Sequence, residues 1–270
     1  MSQGFGKGLR SLDLTYKWLR RPFRDFVILT RIINQREDPS KWRIIEKNPE
    51  AIKALRESGE SYIVASGHFS REALISLFDP RITFGHPIHV AIDVPERIQS
   101  LYDRRICIRL GALLRTANYL EKKVEILFVG KCPFKELLRR LRNQGNVLFI
   151  HVDAPWHANR PGSFLRPFAG HQSRAFATGA VRLAKLAKCP VVSCVYRLGK
   201  DGTKIIEWGT PYFPQESDDD INITNRLLDH LETAIGERPA QYILEVGGDR
   251  RWNSPNKCWE NVVTAKIENE

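Results

Sequence analysis

The sequence predicts an α/β protein with a mostly parallel central sheet covered by helices on both faces. Two observations carry this expectation. Apolar runs alternate with helical patterns from Pro49 to Ile235, and strands separated by helices are joined by crossovers that pair them in parallel. The chain also has 270 residues, with six Trp and thirteen Phe, enough to bury one sizeable core.

In chain order, Pro49–Ser58 has the pattern of a helix and Tyr62–Ser66 that of a strand, followed by a helical pattern over Glu72–Leu77. His89–Ile92 is an expected strand, Leu101–Leu114 a helix, Val124–Phe128 a strand and Phe134–Asn143 a helix. The strand Val147–Val152 ends at Asp153 and opens into a basic, aromatic, glycine-containing loop from Arg160 to Gly170, and a helix is expected over Ala175–Ala187. Val191–Tyr196 and Lys204–Trp208 complete the strands, and the run from Gln215 to Asp220 is a solvated turn leading into a helix over Ile221–Ile235.

Composition narrows the class. The five cysteines, Cys107, Cys132, Cys189, Cys194 and Cys258, are scattered and odd in number, which argues against a disulfide framework or a structural zinc site. His86-x-x-His89 and His151-x-Asp153 are sparse ligands without a third group at recognisable spacing, so no metal is expected. No signal peptide and no run of 18 apolar residues is visible in the sequence, which leads to the expectation of a peripheral or soluble protein.

The net charge of +11 concerns partners more than fold. Residues 1–36 carry eight basic residues against Asp13 and Asp25, a net of +6, interleaved with Phe5, Tyr16, Trp18, Phe23 and Phe26. Such a segment suits the surface of an anionic membrane, its apolar face sunk among the acyl chains. The plainer reading is that its second piece, Phe23 to Ile33, packs on the core with its charges in water. The expected division is therefore a basic amphipathic segment over 1–36 and the α/β domain over 37–270. No helix-turn-helix, RNP-like aromatic motif or zinc finger occurs, and no nucleic acid is expected.

Candidate chemistry lies where the Tyr62–Ser66 strand gives way to a helix, at Gly67-His68-Phe69-Ser70-Arg71-Glu72. Gly67 is expected to let the chain turn sharply, so that His68 projects from the carboxyl end of a strand, the edge where open α/β sheets bind ligands. An imidazole there is a candidate general base, and a carboxylate beside it fixes its tautomer. Glu72, four residues on, is the local candidate; its bland alternative is an acidic residue in a first helical turn. Arg160, Arg166 and Arg174 are candidate phosphate ligands, or equally solvated loop arginines.

Blocks in this order resemble the bacterial lipid A late acyltransferases (lauroyl/myristoyl acyltransferases) of the lysophospholipid acyltransferase-like superfamily. The likeness runs from Ser61 to Trp252. It is carried by Gly67-His68-Phe69, by Phe134-Lys135-Glu136-Leu137-Leu138 through Gly145, by Phe164 to Gly170 followed by Ala175 to Gly179, by Arg238-Pro239-Ala240-Gln241-Tyr242, and by Arg251-Trp252. The family's signature has four residues between the histidine and its acid. Here three separate His68 from Glu72, and the position one further on is Ala73. Either the turn is tighter and Glu72 still reaches the imidazole, or Glu72 is incidental. The i, i+4 spacing favours the first. A basic amphipathic segment also stands where the family usually has an N-terminal transmembrane helix.

The resemblance implies a glycerolipid-acyltransferase-like fold, with residues 37–270 as the acyltransferase domain. It implies acyl transfer from an acyl thioester, carried by acyl carrier protein or coenzyme A, to a hydroxyl of a lipid or glycolipid acceptor. His68 would be the general base and Glu72 its partner. Lys131 would contact substrate, and Asp153 would position the acceptor or hold a loop arginine. The co-substrate would be acyl carrier protein or acyl-CoA, with no cofactor. The implied place is peripheral on the cytoplasmic face of the inner membrane. The alternative is a catalytically altered basic protein on the same fold that binds membrane or another polyanion.

Overall fold

A computed structural model describes residues 43–69, 86–92, 124–128, 134–153, 161–242, 244, 250–253, 256 and 258–261. The expected helices over Glu72–Leu77 and Leu101–Leu114, and the basic segment over 1–36, lie outside the described residues. The described elements are, in order, β1 (Ile44–Lys47), α1 (Glu50–Ser58), β2 (Tyr62–Ser66), β3 (Ile88–Ile92), β4 (Val124–Phe128), α2 (Phe134–Arg142) and β5 (Val147–His151). They continue with β6 (Ser163–Phe168), β7 (His171–Ala177), α3 (Gly179–Ala187), β8 (Val191–Leu198), β9 (Lys204–Trp208), α4 (Asp220–Glu237), a 3-10 turn (Pro239–Gln241), β10 (Arg250–Asn253) and β11 (Cys258–Asn261).

Seven strands form one sheet in the order β1-β9-β8-β2-β5-β3-β4. Every neighbouring pair is parallel except β8 with β9. Side chains alternate between the two faces of a strand. All five residues of β2 and all eight of β8 are nonetheless buried, so both faces of the sheet's middle are covered. Hence the apolar runs are continuous and not alternating.

The helices follow from spacing and caps. In α4 the buried Ile223, Leu227, Leu228, Leu231 and Ile235 recur every three or four residues. The Asp219 side chain accepts from Ile221 N at 2.9 Å, giving one orphan N–H of the first turn a partner. α4 packs on β8, α3 on β2 and β8, and α2 against α3. α1 buries Ile52, Leu55 and Arg56 and stops at Gly59, whose φ of 69° suits glycine. The Arg56 guanidinium is buried between the Glu46 carboxylate and the Trp208 ring, 5.1 Å from the ring centre.

Ser193 on β8, His230 on α4 and Glu207 on β9 have the order of a nucleophile triad. Ser193 Oγ lies 2.7 Å from His230 Nδ1, and His230 Nε2 lies 3.9 Å from Glu207 Oε1. Its position makes it structural. Ser193 is buried, and a Cβ on Gly209 would overlap its Oγ, so a carbonyl substrate has no approach. The bond with His230, strengthened by the charges of Arg197 and Lys47, outweighs burial and holds the Glu207 carboxyl down at about 2.

Two expectations are corrected. The stretch from Arg160 to Gly170 is not simply a loop: from Ser163 onward it is the first strand of an antiparallel hairpin, β6 with β7. The helix expected from Ala175 accordingly begins at Gly179, because Ala175–Ala177 belong to β7. The hairpin turns at Ala169 and Gly170, with φ of 48° and 83°. Positive φ at both central residues is the geometry whose twist matches the flanking strands. Ala169 N donates to Glu232 Oε1 at 2.8 Å, which holds the alanine in a conformation it seldom adopts.

Candidate active site

Parallel pairing of β2 with β5 builds the site. The register sets Ser66 opposite His151, and Val152 N donates to Ser66 O at 2.8 Å one step beyond. Two residues past Ser66 is His68, and two past His151 is Asp153, so both emerge together at the sheet's carboxyl edge. The Asp153 carboxylate uses both oxygens on one residue. Oδ2 accepts from His68 N at 2.7 Å, and Oδ1 lies 2.7 Å from His68 Nδ1.

The Asp153 side chain is fully buried, and that of His68 is 30% exposed. Burial alone would raise the Asp153 pKa, but the hydrogen bond from the His68 ring, the nearby histidine charges and the His68 backbone N–H overcome it and hold the carboxyl below its ordinary value. An ionised Asp153 accepts, so Nδ1 carries the hydrogen and Nε2 keeps its lone pair. This is the arrangement of a base with its tautomer fixed.

Gly67 serves this approach differently from the sequence expectation. Its φ is not positive, so no sharp turn demands glycine. A Cβ there would instead lie 3.0 Å from Asp153 Oδ2 and 2.9 Å from the Phe69 ring. The missing side chain is the space the carboxylate needs.

Other candidates fall differently. Asp153, expected to hold the acceptor or a loop arginine, makes its hydrogen bonds to His68. Glu72, Lys131 and Arg160 lie outside the described residues. Arg166 does not reach the site. It ties the hairpin to α4, with Nη2 at 2.8 Å from Glu232 and 2.9 Å from Asp229, and Nη1 on Asn225. Arg174 leans over Phe168, 6.0 Å from its ring centre. Its Nη1 and the Tyr242 hydroxyl are both buried without a hydrogen-bond partner. Burial and the Asp153 charge raise the Tyr242 pKa while Arg174 opposes them, which sets Tyr242 between that carboxylate and the guanidinium.

Arg166→Ala is accordingly expected to cost about 3 kcal/mol by taking the guanidinium away from the buried Glu232 carboxylate, while turnover per folded molecule stays within about twofold. Denaturant melts beside activity normalised to folded protein check both halves.

The residue that sequence reasoning undervalued is His151, treated as a stray metal ligand. Its ring lies 4.2 Å from that of His68, centre to centre. The other metal candidates are spent on protein groups. His89 Nε2 donates to Asn146 Oδ1 at 2.9 Å with Arg140 3.1 Å from Nδ1, and both ring nitrogens of His86 face backbone carbonyls. Cys189 and Cys194 are buried, and burial pushes both thiols up, Cys189 to about 12, so neither supplies a ready thiolate. A cavity of about 440 Å³ beside Thr178, Arg182, Lys185 and the Asp218–Asp220 turn shares no residue with the His68 site. Its Lys185 is already paired with Asp220 at 2.6 Å.

A carboxylate-oriented imidazole at the carboxyl edge of a parallel α/β sheet defines a protein equipped for general-base chemistry. The chain belongs to the bacterial lipid A biosynthesis acyltransferase family, whose model matches residues 26–245. It is thus a member of an acyltransferase family of lipid biosynthesis. No curated protein matches the chain. Among solved structures it is similar to the 1-acyl-sn-glycerophosphate (LPA) acyltransferase PlsC from Thermotoga maritima, at 11% identity and a TM-score of 0.42 over 85% of this chain and 89% of that one. No helix among the described residues is long and apolar enough to cross a membrane.

Proposed function

We propose that this protein transfers a fatty acyl group from an acyl thioester, carried by acyl carrier protein or coenzyme A, to a hydroxyl of a lipid or glycolipid. The observation that carries the reading is the 2.7 Å contact between His68 Nδ1 and Asp153, which leaves Nε2 free to accept a proton. His68 takes the proton of the acceptor hydroxyl as its oxygen attacks the thioester carbonyl. The tetrahedral intermediate collapses with loss of the thiolate, and His68 returns the proton to sulfur. Asp153 fixes the tautomer and steadies the imidazolium. No acyl-enzyme is required.

With Nδ1 committed to Asp153, Glu72 has only the Nε2 side or the substrates left to serve. The net charge of the segment over residues 1–36 supports a peripheral enzyme on the cytoplasmic face of the inner membrane, where an anionic lipid surface and an acidic carrier protein would both meet positive charge.

The test is thiol release from acyl carrier protein and acyl-CoA thioesters, with lysophospholipid and glycolipid acceptors, in wild type, His68→Ala and Glu72→Ala. The expected result is acceptor-dependent release that requires His68 and largely survives loss of Glu72. Release at the same rate with and without the His68 imidazole overturns the reading. Salt-sensitive vesicle binding without turnover points to a basic membrane-binding protein on this fold.

A further inference from the structure

The His68–Asp153 pair has a neighbour that the proposed reaction does not use. His151 ends β5, and its ring is tilted by 42° against the His68 ring. Its Nε2 lies 2.8 Å from the Tyr196 hydroxyl, and that hydroxyl donates to Gly67 O at 2.8 Å. A tyrosine hydroxyl has one proton. Because it goes to Gly67, the Tyr196 oxygen accepts from His151, and Nε2 of His151 must carry the hydrogen. The Phe149 ring closes against His151 edge-on, 5.2 Å away. The ionisable groups facing the ring are His68, Asp153 and Tyr196. Burial pushes the His151 pKa down to about 3, with the His68 charge acting in the same direction and Asp153 opposing.

We infer that His151 is a positioning residue for the base: a neutral imidazole, anchored through Tyr196 to the Gly67 backbone, that holds the face of the His68 ring while Asp153 holds its edge. The inference rests on the proposed reaction and adds a part to its site. A single hydrogen bond at Nδ1 leaves the His68 ring free to swing about that contact. A flat neighbour 4.2 Å away, itself tied to Tyr196, removes that freedom, so Nε2 keeps one line toward the acceptor oxygen. The anchor returns to Gly67, the residue before His68, so base and support share one rigid piece of backbone.

Neutrality has a second consequence. His151 does not accept a proton, so the proton that His68 removes stays on its Nε2. As the new C–O bond forms and the C–S bond breaks, that proton passes from oxygen through His68 to the leaving sulfur. The balance closes with one base and one proton.

The experiment uses the full chain as wild type, His151→Phe, His151→Gln and Tyr196→Phe. Nitrogen NMR of the imidazoles is expected to show His151 as the neutral Nε2–H tautomer from about pH 5 to about pH 8, unlike an ordinary histidine. His151→Phe is expected to lower kcat about tenfold or more while the donor KM stays within about twofold. His151→Gln, which keeps a donor toward Tyr196, recovers part of that loss. Melting curves report folding separately for each variant. A His151 ring that titrates near pH 6.5, a hydrogen on Nδ1, or wild-type kcat in folded His151→Phe overturns the inference. Absence of turnover in wild type defeats the proposed reaction alone, because the tautomer measurement still decides whether His151 is the neutral anchor.

Discussion

Asp153→Asn is expected to lower kcat by about 10³- to 10⁴-fold in a protein that still folds, the scale of loss when the aspartate of a Ser-His-Asp triad is replaced by asparagine. The reason is a count of donors and acceptors. Asp153 accepts twice from His68, at the backbone N–H and at Nδ1, both at 2.7 Å. An asparagine amide has one accepting oxygen and one donating nitrogen. If its nitrogen faces the ring, Nδ1 must keep its lone pair and the hydrogen moves to Nε2, so the base faces the acceptor in the wrong tautomer. If the amide is turned round, its N–H groups meet the backbone N–H of His68. Two buried donors then face each other at a cost of about 1–3 kcal/mol.

The pH dependence follows from the same contact. Asp153 is held below its ordinary pKa, so the stability it contributes is fully present above the unfolded value of about 3.9 and is lost as pH falls through the folded value. His151 acts in the same direction over a wider window. Its folded pKa of about 3 lies below the unfolded value of about 6.5, so acidification between the two costs at most about 1.4 kcal/mol per pH unit. The stability gap between wild type and Asp153→Asn is expected to begin narrowing below about pH 4 and to close as pH falls through the folded value. Kinetics beside melts across pH test both expectations. Unchanged kcat in Asp153→Asn would move the orienting role to another carboxylate, with Glu72 first in line.

Much of the fold was legible because buried parallel strands advertise themselves. Tyr62–Ser66, Val124–Phe128 and Lys204–Trp208 have the expected bounds, and Asp219 caps α4 at the end of the expected turn. The β6–β7 hairpin was hidden for three local reasons. Arg166, Pro167 and Arg174 interrupt any clean alternation, half its residues are only partly buried, and its turn uses Ala169-Gly170 where Asn-Gly would have been recognisable. Its real partner is α4, through Arg166 and Glu232, a contact that no local pattern contains.

The site was half legible for a related reason. His68 is marked by its place at a strand end. A carboxylate four residues away is what a local search finds, and that search selects Glu72. Among the described residues, the carboxylate that meets His68 is 85 residues away in sequence. It was visible as a strand-end acid, but pairing it with His68 needs the adjacency of β2 and β5 and their register, and strand order is not written in any one segment. His151 was undervalued on the same ground, since its partner Tyr196 sits on β8, on the far side of β2.

Gly67→Ala is expected to lower kcat by about 10²-fold and stability by about 1–3 kcal/mol, through space alone. The backbone there is open to alanine, because φ is not positive. The added Cβ would meet the Phe69 ring at 2.9 Å and the Asp153 carboxylate at 3.0 and 3.3 Å. Neither neighbour yields easily. Phe69 is 2% exposed and packs edge-on against Tyr196 and Tyr242, and the Asp153 carboxylate is fully buried and bonded through both oxygens. A shift of a few tenths of an ångström stretches the bonds that fix the His68 tautomer. The loss should therefore fall on kcat, with the donor KM nearly unchanged. Gly179→Ala is the control, since a Cβ there meets nothing within 4 Å and alanine favours the helix it begins. Full kcat in Gly67→Ala would mean that the close approach of Asp153 is not what prepares His68 as the base.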